Sequence, residues 1–173
     1  MASVVERLAR YRVPFGFLAG VIVLLLARPT WRSLLAGSAI AVAGEAVRIW
    51  AAGHLEKSRE VTRSGPYRWT RHPLYVGSAL LGAAVAVAGA SPAAAGLIAV
   101  YLGATFSAAI RTEEAFLRAA FGREYDEYCH GAGAAVDRRF SIARAWRNRE
   151  YRAVLGMAAV FAILLLKAIL ARG

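Results

Sequence analysis

The sequence predicts an all-α integral membrane protein, a helical bundle of about five transmembrane helices. Three observations carry this reading. The chain of 173 residues is 58% hydrophobic, its mean hydropathy is +0.45, and the apolar excess is gathered into runs. Five such runs are visible: Val13 to Ala27, Leu34 to Ala52, Leu74 to Ala90, Ala93 to Ile110 and Val154 to Leu170. At about 1.5 Å of rise per residue, roughly 17 to 20 residues cross a hydrocarbon core, and the last four runs reach that length. Finally, the net charge of +11 is unevenly spread, with most of the basic residues on one side of the bundle.

The run from Val13 is the shortest and reads as a tilted or partly interfacial helix. It follows Arg7, Arg10 and Arg12, as the core of a signal peptide would. Ala27 is followed at once by Arg28-Pro29 and another apolar segment, so a retained first helix is the better reading. Arg28-Pro29-Thr30-Trp31-Arg32 then makes a tight hairpin with an interfacial Trp. Span two carries Glu45 and Arg48, three residues apart on one helix face. Charges at that depth are costly, and an ion pair that fixes helix packing is expected.

Between spans two and three lie Lys57, Arg59, Arg63, Arg68 and Arg71. The stretch from Ser64 to Gly77 packs Arg, His, Tyr and Pro into a polar run that passes directly into span three. Span three repeats small residues at Ser78, Gly82, Ala86 and Ala90, a face that lets a neighbouring helix approach closely. Ala90-Ser91-Pro92 permits only a helical hairpin, with Pro92 in the first turn of span four. A second polar cluster, Arg111-Thr112-Glu113-Glu114, ends that span. At 100° per residue Glu114, Leu117, Phe121, Tyr125 and Tyr128 share a stripe; Glu113 lies to its side and Gly122 is a point of interruption. Gly131 to Arg149 reads as a loop plus a basic amphipathic piece, Phe140 to Trp146, lying on headgroups with Arg144, Arg147 and Arg149 snorkelling to lipid phosphates.

Five spans put the basic N-terminal segment, the Lys57–Arg71 loop and the region from Arg111 to Arg152 on one face. The opposite loops hold only Arg28 and Arg32. The positive-inside rule makes the N-terminus and both long loops cytoplasmic and the C-terminus external. Topology and anionic lipid headgroups account for the basic balance, and no nucleic-acid motif is present. Cys129, the single cysteine, excludes an intrachain disulfide and a Cys-based zinc site. His54, His72 and His130 have no metal-ligand spacing, so no metal is expected. Oligomeric state is not legible.

The two polar clusters return to the same membrane face, where a polar cofactor can meet a lipophilic substrate. Pro73 holds His72 extended before span three. Arg71, Tyr67 and Tyr75 flank it; together they suit a carboxylate, an adenine or a cation. Composition alone leaves a binding site and a structural turn on equal footing. Glu114 shares an apolar stripe and needs a partner such as an ammonium, a ribose hydroxyl or Arg71.

These residues resemble the membrane-embedded isoprenylcysteine carboxyl methyltransferase and phospholipid N-methyltransferase superfamily. The resemblance rests on Gly65-Pro66-Tyr67, on Arg71-His72-Pro73-Leu74-Tyr75-Val76-Gly77, and on Glu113-Glu114 followed by Leu117 and Phe121-Gly122-Arg123-Glu124-Tyr125. It covers a core from 48 to 128 of a single domain, 1–173, and includes Arg48-Ile49-Trp50-Ala51-Ala52-Gly53-His54-Leu55. It implies S-adenosylmethionine at the cytoplasmic face, held by Gly65, Tyr67, His72, Leu74, Tyr75, Glu113 and Glu114. It also makes Arg111 a candidate for a substrate carboxylate. Many relatives carry a Pro near residue 140, where this chain has Arg139-Phe140-Ser141.

Methyl transfer from a sulfonium is an in-line displacement, for which a protein supplies orientation and desolvation. A carboxylate acceptor needs a cation such as Arg111; an amine acceptor must be neutral, and His72 or Glu114 can take its proton. The expected partners are membrane lipids and a lipophilic or lipid-modified acceptor, a prenylated cysteine or an amine-headed lipid. Sterol-type reductases using a nicotinamide cofactor share an Arg-His-Pro-x-Tyr-type segment but usually lack the tandem Glu pair. A non-enzymatic scaffold would explain the spans and not the paired motifs.

Overall fold

The computed structural model describes residues 4–132 and 136–171, with side chains from residue 15 onward. All regular structure among them is helical: α1 (Val4–Leu26), α2 (Trp31–His54), a 3-10 turn (Gly65–Arg68), α3 (Pro73–Gly89), α4 (Pro92–Phe121), α5 (Arg123–Cys129), α6 (Ile142–Arg147) and α7 (Tyr151–Leu170). Three helices, α2, α4 and α7, are long and apolar enough to cross a membrane. The apolar part of α1, Phe15–Leu26, and α3 are shorter. Leu35, Val42, Val100 and Leu170 are each at least 70% exposed, as outward faces solvated by lipid chains would be.

One end of the bundle gathers both tight hairpins. Thr30 caps α2 through a reciprocal capping box with Ser33. Ser33 Oγ also donates to the Ala88 carbonyl at 2.9 Å, and the Arg28 amide donates to the Gly89 carbonyl at 2.7 Å. Ala90 ends α3 in the left-handed region, and Ser91 and Pro92 open α4 as the sequence predicts. Lys167 of α7 reaches the same end. Its Nζ donates to the carbonyls of Leu24 at 2.6 Å, Leu25 at 3.2 Å and Ala27 at 2.9 Å, filling the C-terminal acceptors of α1.

α2 and α3 approach most closely through glycine. A Cβ on Gly37 would stand 2.6 Å from the Ala88 Cβ and 2.7 Å from the Ala84 carbonyl oxygen; one on Gly44 would stand 2.9 Å from Leu81. The close face of α3 is therefore Gly77, Leu81, Ala84 and Ala88, all buried. The predicted stripe is rotated from it: Gly82 faces Leu102 and Ile98 of α4, and Ala90 is exposed. Both stripes fit a helical period, and the partner helix decides between them. α7 closes this core, with Met157 and Phe161 packed on Ala41, Leu81 and Ala84.

The opposite end holds the polar structure. Gly122, at φ +48°, separates α4 from α5, the interruption expected from sequence. The arginines of α6 depart from expectation. Arg144 Nε lies 2.8 Å from Glu56 Oε1, and Arg147 lies 3.1 Å from the same oxygen. Arg144 also donates to the Gly53 carbonyl at 2.5 Å. Arg144 turns in to cap the end of α2, and both guanidiniums engage Glu56, because Glu56 and the carbonyls there offer short, charge-assisted partners. Among the described residues Arg149 alone of the three is exposed without such a contact.

Candidate active site

A cavity of about 610 Å³ opens at this polar end, bounded by α2, the turn before α3, the start of α3, the last turns of α4, α5 and the start of α7. That volume falls within the roughly 300–1,000 Å³ range of small-molecule sites.

Its aromatic wall is set by a short chain of local contacts. Gly65 adopts φ +56°, and a Cβ there would stand 2.5 Å from the buried His54 ring. His54 Nδ1 in turn shares a 3.1 Å hydrogen bond with Ser64 Oγ. This packing fixes the turn that presents Tyr67. The Tyr128 hydroxyl donates to the Tyr67 carbonyl at 2.7 Å, tying α5 to the turn. Burial pushes the Tyr67 phenol well above its ordinary value and the Tyr128 phenol up to about 12. Both stay protonated donors at neutral pH.

The His-Pro segment enters from α3. His72 Nε2 lies 3.1 Å from Glu114 Oε1, and Arg71 Nη1 lies 3.2 Å from the same oxygen. Arg71 also donates to Cys129 Sγ at 3.3 Å. The Tyr75 ring meets His72 edge-on at 5.9 Å and Phe106 at 5.2 Å. The two motifs, far apart in sequence, are thus in direct contact.

Of the residues singled out from sequence, Tyr67, His72, Leu74, Tyr75 and Glu113 line the cavity. Glu114 stands behind His72 and Arg71. Gly65 shapes the turn from the His54 side. Arg111 is exposed on α4 and lies outside the lining. Sequence reasoning missed Arg48, Glu56, Glu60, Asn148 and Glu150, which also line it. Glu150 carried a usable signal: it is the one acid between Arg149 and the last apolar run.

The expected Glu45–Arg48 pair does not form. Arg48 Nε instead lies 2.5 Å from Glu150 Oε1; its Nη1 donates to Ser78 Oγ and, at 3.5 Å, to the Leu74 carbonyl. Glu45 is left with buried carboxylate oxygens and no hydrogen-bond partner among the described residues. Glu150, at the mouth of α7, can approach the guanidinium side-on, whereas Glu45 is confined to its own helix.

The cavity carboxylates differ in their partners. Glu56 is held by Arg144 and Arg147, and the Arg144 hydrogen bond keeps its pKa below the ordinary value. Glu60 lies 2.5 Å from Arg138, and Glu150 pairs with Arg48. Glu113 has no ion pair among the described residues, so its charge is available to a ligand. Among the described residues no group of three His, Cys, Asp or Glu side chains is placed to hold a metal.

The fold and site define a helical membrane protein with a mixed polar and aromatic cavity at one end of its bundle. The chain belongs to the phospholipid methyltransferase family, whose model matches residues 17–124. It is similar to two proteins named probable protein-S-isoprenylcysteine O-methyltransferase, from Oryza sativa subsp. indica and subsp. japonica. Each is 37% identical over 75 residues, 43% of this chain. The match spans only 39% of the length of those relatives. No solved structure matches the chain.

Proposed function

We propose that this chain is a membrane methyltransferase that uses S-adenosylmethionine and methylates a lipophilic acceptor at the cytoplasmic face, with an isoprenylcysteine carboxylate as the preferred acceptor. On this reading residues 1–173 form one domain with five spans, and the N-terminus and long loops are cytoplasmic. The observation that carries it is the unpaired Glu113 carboxylate in a cavity that also presents Tyr67, His72, Tyr75 and Tyr128. Such a wall fits the cofactor: carboxylate for ammonium or ribose hydroxyl, and phenol rings for adenine and sulfonium. When bound, S-adenosylmethionine supplies an electrophilic methyl group. Tyr67, Leu74 and Tyr75 orient it and exclude water; Gly65 maintains the turn. Glu114 fixes the His72 ring and the Arg71 guanidinium.

The family resemblance makes Arg111 a candidate for the acceptor carboxylate, but Arg111 lies outside the cavity lining, which leaves that role open to a cation within it. An amine-headed phospholipid is the second reading, favoured by Glu113, whose free charge also suits a substrate ammonium; His72 would then take the amine proton. Titration of S-adenosylmethionine into the purified protein, followed by methyl transfer to a prenylated cysteine and to phosphatidylethanolamine, tests the proposal. Binding with transfer to the prenylated cysteine is expected. Absence of cofactor binding would overturn it.

A further inference from the structure

The cavity has three cations in its wall, Arg48, Lys57 and Arg71. Two of them stand at the polar rim. Lys57 is exposed in the loop after α2, and Arg71 is exposed and engaged with Glu114 and Cys129. Arg48 is different. It lies six residues before the end of α2, about 9 Å down the helix axis from the rim, within a helix apolar and long enough to span a membrane.

Its side chain is only 20% exposed and is held from two sides. Glu150, with a side chain 7% exposed, takes Nε at 2.5 Å; Ser78 and the Leu74 carbonyl take Nη1. Ser78 itself donates to the Leu74 carbonyl at 2.8 Å. The guanidinium is thereby anchored to the His-Pro-Leu-Tyr segment along one edge. A guanidinium has five N–H donors in a planar fork. The bonds to Glu150, Ser78 and Leu74 use Nε and Nη1, which leaves the Nη2 donors for the cavity.

A lone cation at this depth would be costly, and Glu150 offsets that cost while the site is empty. A purely structural pair would need neither the cavity position nor the link to Leu74. We propose that Arg48 is an acceptor-binding residue: it holds the anionic oxygens of a lipophilic acceptor at the membrane-side end of the cavity, with Glu150 and Ser78 as its positioning residues. The inference deepens the methyltransferase reading and rests on it for the identity of the acceptor. The anion is a carboxylate that is itself methylated, or a lipid phosphate next to a methylated amine.

The test measures binding without turnover. Full-length protein in lipid nanodiscs is titrated with a prenylated N-acetylcysteine and with its neutral carboxamide. A second pair compares phosphatidylethanolamine with diacylglycerol. Wild type should prefer the charged member of one pair by tenfold to a hundredfold, on the order expected for a charge-assisted hydrogen bond. Arg48→Gln should collapse that preference while leaving the affinity for S-adenosylmethionine within about twofold. Because Arg48→Gln strands Glu150, the Arg48→Gln/Glu150→Gln double variant, which removes both charges, is measured beside it. Collapse of the first pair assigns a carboxylate, and of the second a phosphate. No charge preference in wild type, or a preference that survives in the folded double variant, would overturn the role of Arg48. Collapse in a protein that neither binds S-adenosylmethionine nor transfers methyl would leave Arg48 as an anion site and discard the methyltransferase reading instead.

Discussion

His72 and Glu114 meet across the α3–α4 interface at 3.1 Å, and Arg71 shares the same carboxylate oxygen at 3.2 Å. A single acid therefore sets the position of two groups at the cavity. His72→Ala and Glu114→Ala are each expected to weaken S-adenosylmethionine binding by about 1.5–3 kcal/mol, the cost of a lost charge-assisted hydrogen bond. Because Glu114 acts through His72 and Arg71, the double variant should lose less than the sum. Calorimetric titration decides, and unchanged affinity in both single variants would remove these residues from the site.

Glu56 gives the fold an acid-sensitive joint. Its pKa is held below the ordinary value of 4.5, chiefly by the Arg144 hydrogen bond, in the folded chain. A depressed carboxylate pKa contributes stability that is present above the unfolded value and is lost as pH falls through the folded one. Melting temperature should thus drop as the pH falls below about 4.5. Glu56→Gln should be less stable at neutral pH and show a flatter acid limb. Superimposable pH profiles for the two proteins would contradict the assignment.

Gly37 is the tightest test of the α2–α3 contact. The nearest atoms to an added Cβ are the Ala88 Cβ at 2.6 Å and the Ala84 carbonyl oxygen at 2.7 Å, so a flexible side chain cannot simply swing away. Gly37→Val should cost about 1–3 kcal/mol, the usual range for overpacking. Thermal denaturation in detergent measures it. Gly96→Ala, which meets no neighbouring atom within 4 Å, is the control.

On the proposed five-span topology the two ends of the bundle lie on opposite sides of the membrane. In a Cys129→Ser background, Asp137→Cys should be shielded from an impermeant thiol reagent in intact cells, and Ser91→Cys should react. The Asp137 side chain is 99% exposed, so failure to react reports sidedness rather than burial. The reverse pattern would invert the topology.

The apolar runs and the paired motifs announced the helices and the cavity because both are written locally, in run length and in short segments. What the sequence concealed depends on partners brought by folding. Arg48 has an acid three residues away, yet it pairs with Glu150, 102 residues on. Arg144 and Arg147 look like headgroup anchors until Glu56 is placed beside them. Spacing on one helix shows which residues share a face; it does not show which helix that face will meet.

The Lys167 contact bears on how the bundle is made. The carbonyls it satisfies lie 140 to 143 residues earlier in the chain. During synthesis α1 therefore emerges long before its terminal acceptors have this donor. Until α7 arrives those carbonyls must be served by water or lipid headgroups. The first hairpin can dock on α3 through Arg28 and Ser33 well before this, and α7 adds the last donor to the end of α1.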